Sequence, residues 1–278
     1  STFTVRNSSP VAAGMTMYTD EDVSVSMVLQ GEDIDGDALT WSNSAPANGS
    51  VTILDNQVTY TPVADFNGND SFTVTANDGT SDSVEATIAV IVQAVNDVPV
   101  AQNDSAEVAE DNVAVIAVTR NDTDLETAEL QVVSYTQPAN GVVGLGTGGS
   151  LEYRPNPNFS GSDRFLYTVA DAEGATAVGT VEISVTPVND SPSIPEPLSP
   201  VSGASLAPRA VVLVWTSSTD VDGDEVTYRI TLSRDGSELD TLTTTDSSLR
   251  LEMTSQEEGN YGWSVVAVDS SGAVSASS

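Results

Sequence analysis

"YTPVADFNGNDSF", residues 60–72, comes back as "YRPNPNFSGSDRF" at residues 153–165. Both copies run from Tyr to Pro to an aromatic–x–Gly turn and then to an acid and Phe, so one structural unit is written twice. Working outward, "PVAAGMTMYTDEDVSV" at Pro10 returns as "PVAQNDSAEVAEDNVAV" at Pro99, "PANG" at Pro46 returns at Pro138, and "AVNDVP" at Ala94 returns as "PVNDSP" at Pro187. The copies lie 89 residues apart at the start and 93 later, most of the difference falling in the loop before Pro138. After the Pro-rich connector "SPSIPEPLSP" the pattern changes, and the last segment shares only an acidic stretch, "TDVDGDEVTY" at Thr219, with "EDIDGDALTW" at Glu32. These boundaries predict a lead-in of residues 1–9 and domains at 10–98, 99–191 and 192–278.

Apolar and polar residues alternate within each repeat, the period of a half-buried strand. Val23, Val25, Met27 and Leu29 form one run, Phe72, Val74 and Ala76 another, and Val84, Ala86, Ile88, Val90 and Val92 a third. Val113, Val115 and Ala117 repeat the first run, and Val181, Ile183 and Val185 the last. Turn signals at Asn48-Gly49, Asp55-Asn56, Asn67-Gly68 and Asp78-Gly79 separate the runs, and no stretch holds a helical period for three turns. The last segment reads likewise: Val212 and Val214, then Val226, Tyr228, Ile230 and Leu232, an "RDGS" hairpin at Arg234, and Tyr261, Trp263, Val265 and Ala267. The expected fold is all-β: three tandem Greek-key, immunoglobulin-like β-sandwiches in an elongated rod, each antiparallel and about seven-stranded.

Composition narrows the function. Of 278 residues, 41 are acidic and 8 are Arg, with no Lys, His or Cys, for a formal charge of −33. Nucleic acid and anionic membrane require a basic footprint that is missing, and no apolar run is long enough to span a bilayer. Without Cys or His there is neither a disulfide framework nor a zinc-type site, and a nucleophilic Ser has no His or Lys to activate it. Carboxylates, amides and backbone carbonyls remain, a donor set for hard cations such as Ca2+. Acids repeated in tandem loops do not look like an active site, so the chain reads as a non-enzyme.

Successive strands of a sandwich run alternately up and down, and this places the acids. If the first strand descends, Glu21 and Asp22 lie at the bottom of the first repeat, Asp33, Asp35 and Asp37 at its top, Asp65 and Asp70 at the bottom and Asp78 at the top. The bottom of one domain, the linker Asn-Asp and the top of the next then meet. The first junction would gather Glu21, Asp22, Asp70, Asn96 and Asp97 with Asp122, Asp124 and Asp171. A second would gather Glu110, Asp111, Asp163, Asn189 and Asp190 with Asp220, Asp222, Asp224 and Asp269. Asp33, Asp35 and Asp37 face the lead-in. Like charges packed this closely repel unless a cation lies among them, and Ca2+ accepts six to eight oxygens in flexible geometry.

"EDVSVSM", "DIDGDALT", "PANGSV", "YTPVADFNGNDSFTV", "NDG" and "VNDVP" resemble the bacterial cadherin-like tandem repeats of large secreted adhesins and extracellular enzymes, over residues 10–191. In cadherins a Glu after the first strand, acids of a bottom loop, an Asn-Asp linker and an Asp-x-Asp loop of the next domain bind calcium between domains. The resemblance therefore implies ligand roles for Glu21, Asp70, Asn96, Asp97, Asp122, Asp124 and Asp171. Residues 192–278 are similar to a fibronectin type III domain through "VVLVWTSSTD", "VTYRITLSRDG" and "YGWSVVAVDSSG". One departure is Ser8, which stands in "VRNSSP" where Asp97 stands in "VNDVP".

Other readings compete. An EF-hand loop is excluded for "DIDGD", because Gly36 is its fourth residue rather than its sixth; a solvated turn on a salt-adapted surface is the plainer alternative. Trp41, Trp215, Trp263, Tyr60 and Tyr153 are read as core residues, although exposed aromatics would suit a polysaccharide. The leading expectation is a calcium-stiffened stalk or adhesive module, secreted or at the cell surface, whose partners are neighbouring domains or subunits of a larger assembly. The alternatives are a carbohydrate-binding module and a filament subunit that uses the strand-like "TFTV" at Thr2 for strand addition.

Overall fold

A computed structural model of the chain describes all residues except Phe3, Val5, 207–209 and 253–257. It separates into two compact units, Ser1–Val98 and Pro99–Ser278. The first unit contains β1 (Val11–Ala12), β2 (Met15–Asp20), β3 (Val25–Val28), β4 (Gly31–Glu32), β5 (Thr40–Asn43), β6 (Gly49–Leu54), β7 (Gln57–Pro62), β8 (Gly68–Asn77) and β9 (Ala86–Gln93). One sheet runs β2-β9-β8-β5 and the other β3-β7-β6, with β1 paired to β4. Met17, Val58, Tyr60, Phe72, Val74, Ile88 and Val90 fill the space between them.

The second unit opens with β10 (Asp104–Ala109), β11 (Ala114–Ile116), β12 (Gln131–Tyr135), β13 (Gly141–Leu145), β14 (Leu151–Pro155), β15 (Gly161–Ala170) and β16 (Thr176–Thr186). Its sheets, β10-β16-β15-β12 and β11-β14-β13, repeat the first architecture around a core of their own. β17 (Pro197–Ser199), β18 (Ala210–Trp215), β19 (Thr227–Arg234), β20 (Ser237–Thr244), β21 (Ser248–Glu252) and β22 (Tyr261–Val268) follow. They form the sheets β17-β18-β21 and β20-β19-β22 over Leu213, Trp215, Tyr228, Ile230, Val265 and Ala267. The expected all-β, immunoglobulin-like sandwiches are therefore present, but they are not wholly antiparallel. β2 lies parallel to β9, and β10 parallel to β16. In the first repeat the chain passes at Gly14 from β1, paired to β4, into β2, and a Cβ there would come within 2.9 Å of the Thr87 carbonyl oxygen.

Alternation failed where both parities are apolar. In "NVAVIAV" the buried residues are Ala114, Ile116 and Val118, while Val115 is 65 % exposed; in "VVLVW" they are Leu213 and Trp215 rather than Val212 and Val214. Val23 and Val84 are exposed and lie outside the strands assigned to them. Where polar residues mark one face, as from Phe72 to Ala76, the expected residues are the buried ones.

The duplicated motif has a structural purpose. Asp163 Oδ1 accepts hydrogen bonds from the Ala139 and Arg164 amides at 3.2 and 2.9 Å, and Oδ2 accepts from the Asn140 amide and the Tyr153 hydroxyl at 2.9 and 3.0 Å. Asp70 does the same with Ala47, Ser71, Asn48 and Tyr60, at 3.1, 2.8, 2.8 and 2.9 Å. Each carboxylate thus pins the "PANG" turn to a long strand and to a fully buried tyrosine. Partial withdrawal from water opposes the charge of Asp70, but the donors of Asn48, Ser71, Tyr60 and Ala47 outweigh it and hold the carboxyl below its usual range. The glycine closing each turn leaves room for the ring: a Cβ on Gly141 would lie 2.5 Å from Tyr153 Cε2. Asp70 and Asp163, expected among the metal ligands, each accept four protein donors here and act as structural hubs.

Replacing Tyr153→Phe removes a donor to a buried carboxylate and should lower the stability of that sandwich by about 1.5–3 kcal/mol. Urea unfolding of the variant against the parent checks this.

Candidate metal centre

The second unit brings together the carboxylates expected at the second junction. Glu110 follows β10, is 3 % exposed, and accepts the Val188 amide on Oε1. Its neighbour Asp111 takes a left-handed backbone, φ 63°. In the linker, the Asn189 side-chain amide donates to Asp269 Oδ2 at 2.8 Å and the Asp190 amide donates to Asp222 Oδ2 at 2.8 Å. The loop carrying Asp220, Asp222 and Asp224 is folded by its own first residue: Asp220 Oδ1 accepts the Asp222 and Asp224 amides at 2.9 and 3.3 Å. Gly223 takes the φ of 82° that this turn needs. Asp224 Oδ2 accepts the Ser271 hydroxyl at 3.2 Å.

Electrostatically the cluster is unbalanced. Removal from water, then the fields of Asp222, Asp111, Glu110 and Asp220, push the Asp190 carboxyl above its ordinary range. Asp269 moves the other way, held down by the Asn189 amide and the backbone amides of Ala273, Gly272 and Ser271 against some loss of hydration. The Oδ2 atoms of Asp190 and Asp220 are out of contact with water and have no protein donor. Buried anionic oxygens without a donor are costly, and no Arg answers them: among the described residues the ion pairs are Arg234–Asp235 and Arg250–Glu252. The acidic side chains gathered here offer carboxylate oxygens, hard donors of the kind Ca2+ prefers.

The first unit shows the matching halves of such a centre. At its lower end Glu21, 4 % exposed, accepts the Val95 amide at 2.5 Å, and carboxylate oxygens of Asp22, Asp65 and Asp97 lie within 4.8 Å of one another. Asp65 occupies the place expected for Asp70. Its signal was its position before the aromatic–x–Gly turn, where a short polar residue tolerates the left-handed backbone seen at φ 60°; Asn158 stands there in the second repeat at φ 58°. Asn96 lies in the same linker, its side-chain amide donating to the Asp97 carbonyl at 2.8 Å.

At the upper end Asp33 Oδ1 accepts the Asp35 and Asp37 amides at 2.8 and 3.3 Å around Gly36, the same turn as at Asp220. The lead-in is seated as the later linker is: Asn7 donates to Asp78 Oδ2 at 2.8 Å and the Ser8 amide to Asp35 Oδ2 at 2.7 Å. The Asn7 amide, with the Ser81 amide behind it, lowers Asp78 to about 2.

The top of the second repeat carries Asp122, Asp124 and Asp171. Asp122 Oδ1 accepts the Gln102 amide and the Tyr167 hydroxyl at 2.7 and 3.0 Å, Asp124 Oδ1 the Thr127 amide at 2.7 Å, and Asp171 Oδ1 the Gly174 and Ala175 amides at 2.6 and 2.8 Å. Asp104, which the repeat comparison passed over because the first copy has no acid there, joins them; burial, with the field of Asp122 behind it, raises its carboxyl despite donors from Tyr167 and Asn121. The Oδ2 atoms of Asp104, Asp122 and Asp124 are likewise buried without a donor. Tyr60, Tyr153 and Trp215 are closed inside the cores and offer no surface to a sugar.

A family model described as Bacterial Ig domain matches residues 7–91 and again residues 96–184, more than half of the chain. The chain belongs to that family. Both matches begin at a linker asparagine, Asn7 or Asn96. Protocadherin gammaB7 EC3-6 aligns with 97 % of the chain and 72 % of its own length at 16 % identity and a TM-score of 0.57. Mouse Cadherin-23 EC22-24 aligns with 97 % and 96 % at 17 % identity and a TM-score of 0.50. Among curated proteins, Integrin beta-like protein E of Dictyostelium discoideum is 30 % identical over 146 residues, 45 % of this chain. The chain spans 6–8 % of the length of the curated relatives it matches. Bacterial Ig and cadherin-like domains are non-catalytic structural or adhesive modules found in extracellular and surface proteins, and no helix among the described residues is long and apolar enough to cross a membrane.

The two shifted acids have opposite pH signatures. Asp269, lowered by folding, stabilises the protein at neutral pH and loses that contribution as the pH falls through its folded value. Asp190, raised by folding, binds its proton more tightly in the native state, so its charge costs stability as the pH rises through the carboxylate range. In calcium-free buffer, Asp190→Asn should therefore flatten the loss of melting temperature between about pH 4 and pH 7, and differential scanning calorimetry across that range checks it.

Proposed function

We propose that the chain is a calcium-stiffened stalk or adhesive module of a secreted or surface protein, built of three domains at 10–98, 99–191 and 192–278, the last of fibronectin type III type. The reading rests on the donorless buried oxygens of Asp190 and Asp220 among Glu110, Asp111 and Asp222. Glu110, Asp111 and Asn189-Asp190 on one side, and Asp220, Asp222 and Asp269 on the other, would hold Ca2+ between the second and third domains. Glu21, Asp22, Asp65, Asn96 and Asp97 would supply ligands at the lower end of the first domain, and Asp122, Asp124, Asp104 and Asp171 at the top of the second. Asp33, Asp35 and Asp37 would serve a junction to residues ahead of the first domain. The cation supplies positive charge that only the ordered arrangement can use. A site filled at about a hundred times its dissociation constant adds roughly 2.7 kcal/mol to that arrangement.

Calorimetric titration with Ca2+, paired with small-angle X-ray scattering, tests this. Binding in the range of extracellular modules, about 10⁻⁴ to 10⁻³ M, is expected, with a longer and better defined maximum dimension. Asp220→Asn should weaken the tightest site at least about tenfold, a change of about 1.4 kcal/mol. Absence of binding, with scattering unchanged by Ca2+ or a chelator, removes the stalk mechanism.

A further inference from the structure

The smaller sheet of each repeat ends in an edge strand, β6 in the first and β13 in the second. In the second repeat a side chain closes that edge. Gln137 donates its amide to the Val143 carbonyl at 2.9 Å and accepts the Val143 amide on Oε1, also at 2.9 Å. These are the two bonds that a residue of a neighbouring antiparallel strand would make. Both backbone groups of Val143 therefore point away from β14, although Val143 lies opposite Tyr153. The Asn156 amide bonds the Asn140 carbonyl one pair before Gly141, so by alternation Gly141, Val143 and Leu145 are the residues that face outward.

The first repeat keeps this register without the closing side chain. The Val63 amide bonds the Asn48 carbonyl, and Val51 lies opposite Tyr60, so Gly49, Val51 and Ile53 turn their N–H and C=O groups outward. Ala45 precedes "PANG" where Gln137 precedes it in the second copy, and a methyl group neither donates nor accepts. Among the described residues, none bonds to the outward backbone groups of Gly49, Val51 or Ile53.

Charged side chains on an edge strand keep other strands away. The edge strand β20 carries Glu238 and Asp240, but β6, "GSVTIL", has no charge along its six residues. In a chain of formal charge −33, that strand is a place where a second copy can approach without setting acid against acid. Its own sequence is the complement it needs. Laid antiparallel about a two-fold axis, two copies of β6 set Val51 opposite the same residue of the other copy, Gly49 opposite Ile53, and Ser50 opposite Thr52. Every outward N–H and C=O of both strands then finds its bond. Ser50 and Thr52 are exposed and would meet on the solvent face. Asp55, at the hairpin tip, falls opposite Ala47 rather than another acid. The second repeat is denied this pairing, because the Gln137 amide already occupies Val143.

We propose that β6 is an interface between two copies of this chain, which join their first domains edge to edge by antiparallel strand pairing. Light scattering on the 278-residue protein, from micromolar to millimolar concentration, should show the mass rising from 28.8 kDa to twice that value. The rise should be the same in chelator as in calcium, because β6 holds no acid. Hydrogen exchange at the Val51 and Ile53 amides should slow at least about tenfold in the dimer. Two variants, each checked for an unchanged circular dichroism spectrum, test the contact. Ala45→Gln transfers the closing side chain of the second repeat, and Ser50→Glu/Thr52→Glu sets like charges opposite one another at exposed positions. Both should remain at 28.8 kDa throughout the range, with exchange at Val51 and Ile53 as fast as in the monomer. A monomer at every concentration, a dimer that survives either variant, or a dimer whose Val51 and Ile53 amides stay unprotected overturns the proposal.

Discussion

One carboxylate in each repeat, Asp70 or Asp163, holds four donors at once, and the rest of the sandwich is arranged around it. A buried anion is tolerable only when hydrogen bonds replace its lost water. Here they come from a turn, from the carboxylate's own strand and from the hydroxyl of a tyrosine whose ring lies in the core. The bond therefore ties the loop end of the sandwich to its centre. With that end fixed, the neighbouring loops that carry Glu21, Asp22 and Asp65, or Glu110 and Asp111, are presented from a rigid base.

Two kinds of acid emerge from this division. Asp70 and Asp163 are balanced by protein donors and help the fold. Asp190 and Asp220 are left with an oxygen each that neither water nor protein answers, and repulsion from their neighbours is unrelieved. The chain has no Lys and only 8 Arg, and among the described residues the ion pairs are made elsewhere, at Asp235 and Glu252. The imbalance is concentrated at the linker and the loop it meets, where an outside cation would act on the joint between domains rather than on either core.

Much of this was legible in the sequence because duplication displays which residues a unit requires. The turn glycines, the acidic loop and the linker asparagine all occupy the places their repetition suggested. Strand parity was legible only where polar residues broke the tie; "NVAVIAV" and "VVLVW" are apolar on both faces, so Ala114, Ile116, Leu213 and Trp215 had to be located by the structure. Spacing also could not distinguish Asp65 from Asp70, five residues apart in one loop and strand. What separates them is the tyrosine hydroxyl and turn amides that converge on Asp70, a three-dimensional fact. Asp104 was hidden for the opposite reason, having no acidic counterpart in the other copy.

The break at Gly14 that sends the first strand across to the second sheet has a mechanical meaning. It lays β2 beside β9, and in the second repeat β10 lies beside β16, in parallel, over six residue pairs each. Tension between the two ends of such a sandwich drags its first and last strands past one another, so the whole ladder is loaded in shear and must give way together. Under a pull, each of the first two repeats bears the load through this shear-loaded parallel ladder rather than through bonds that open one after another.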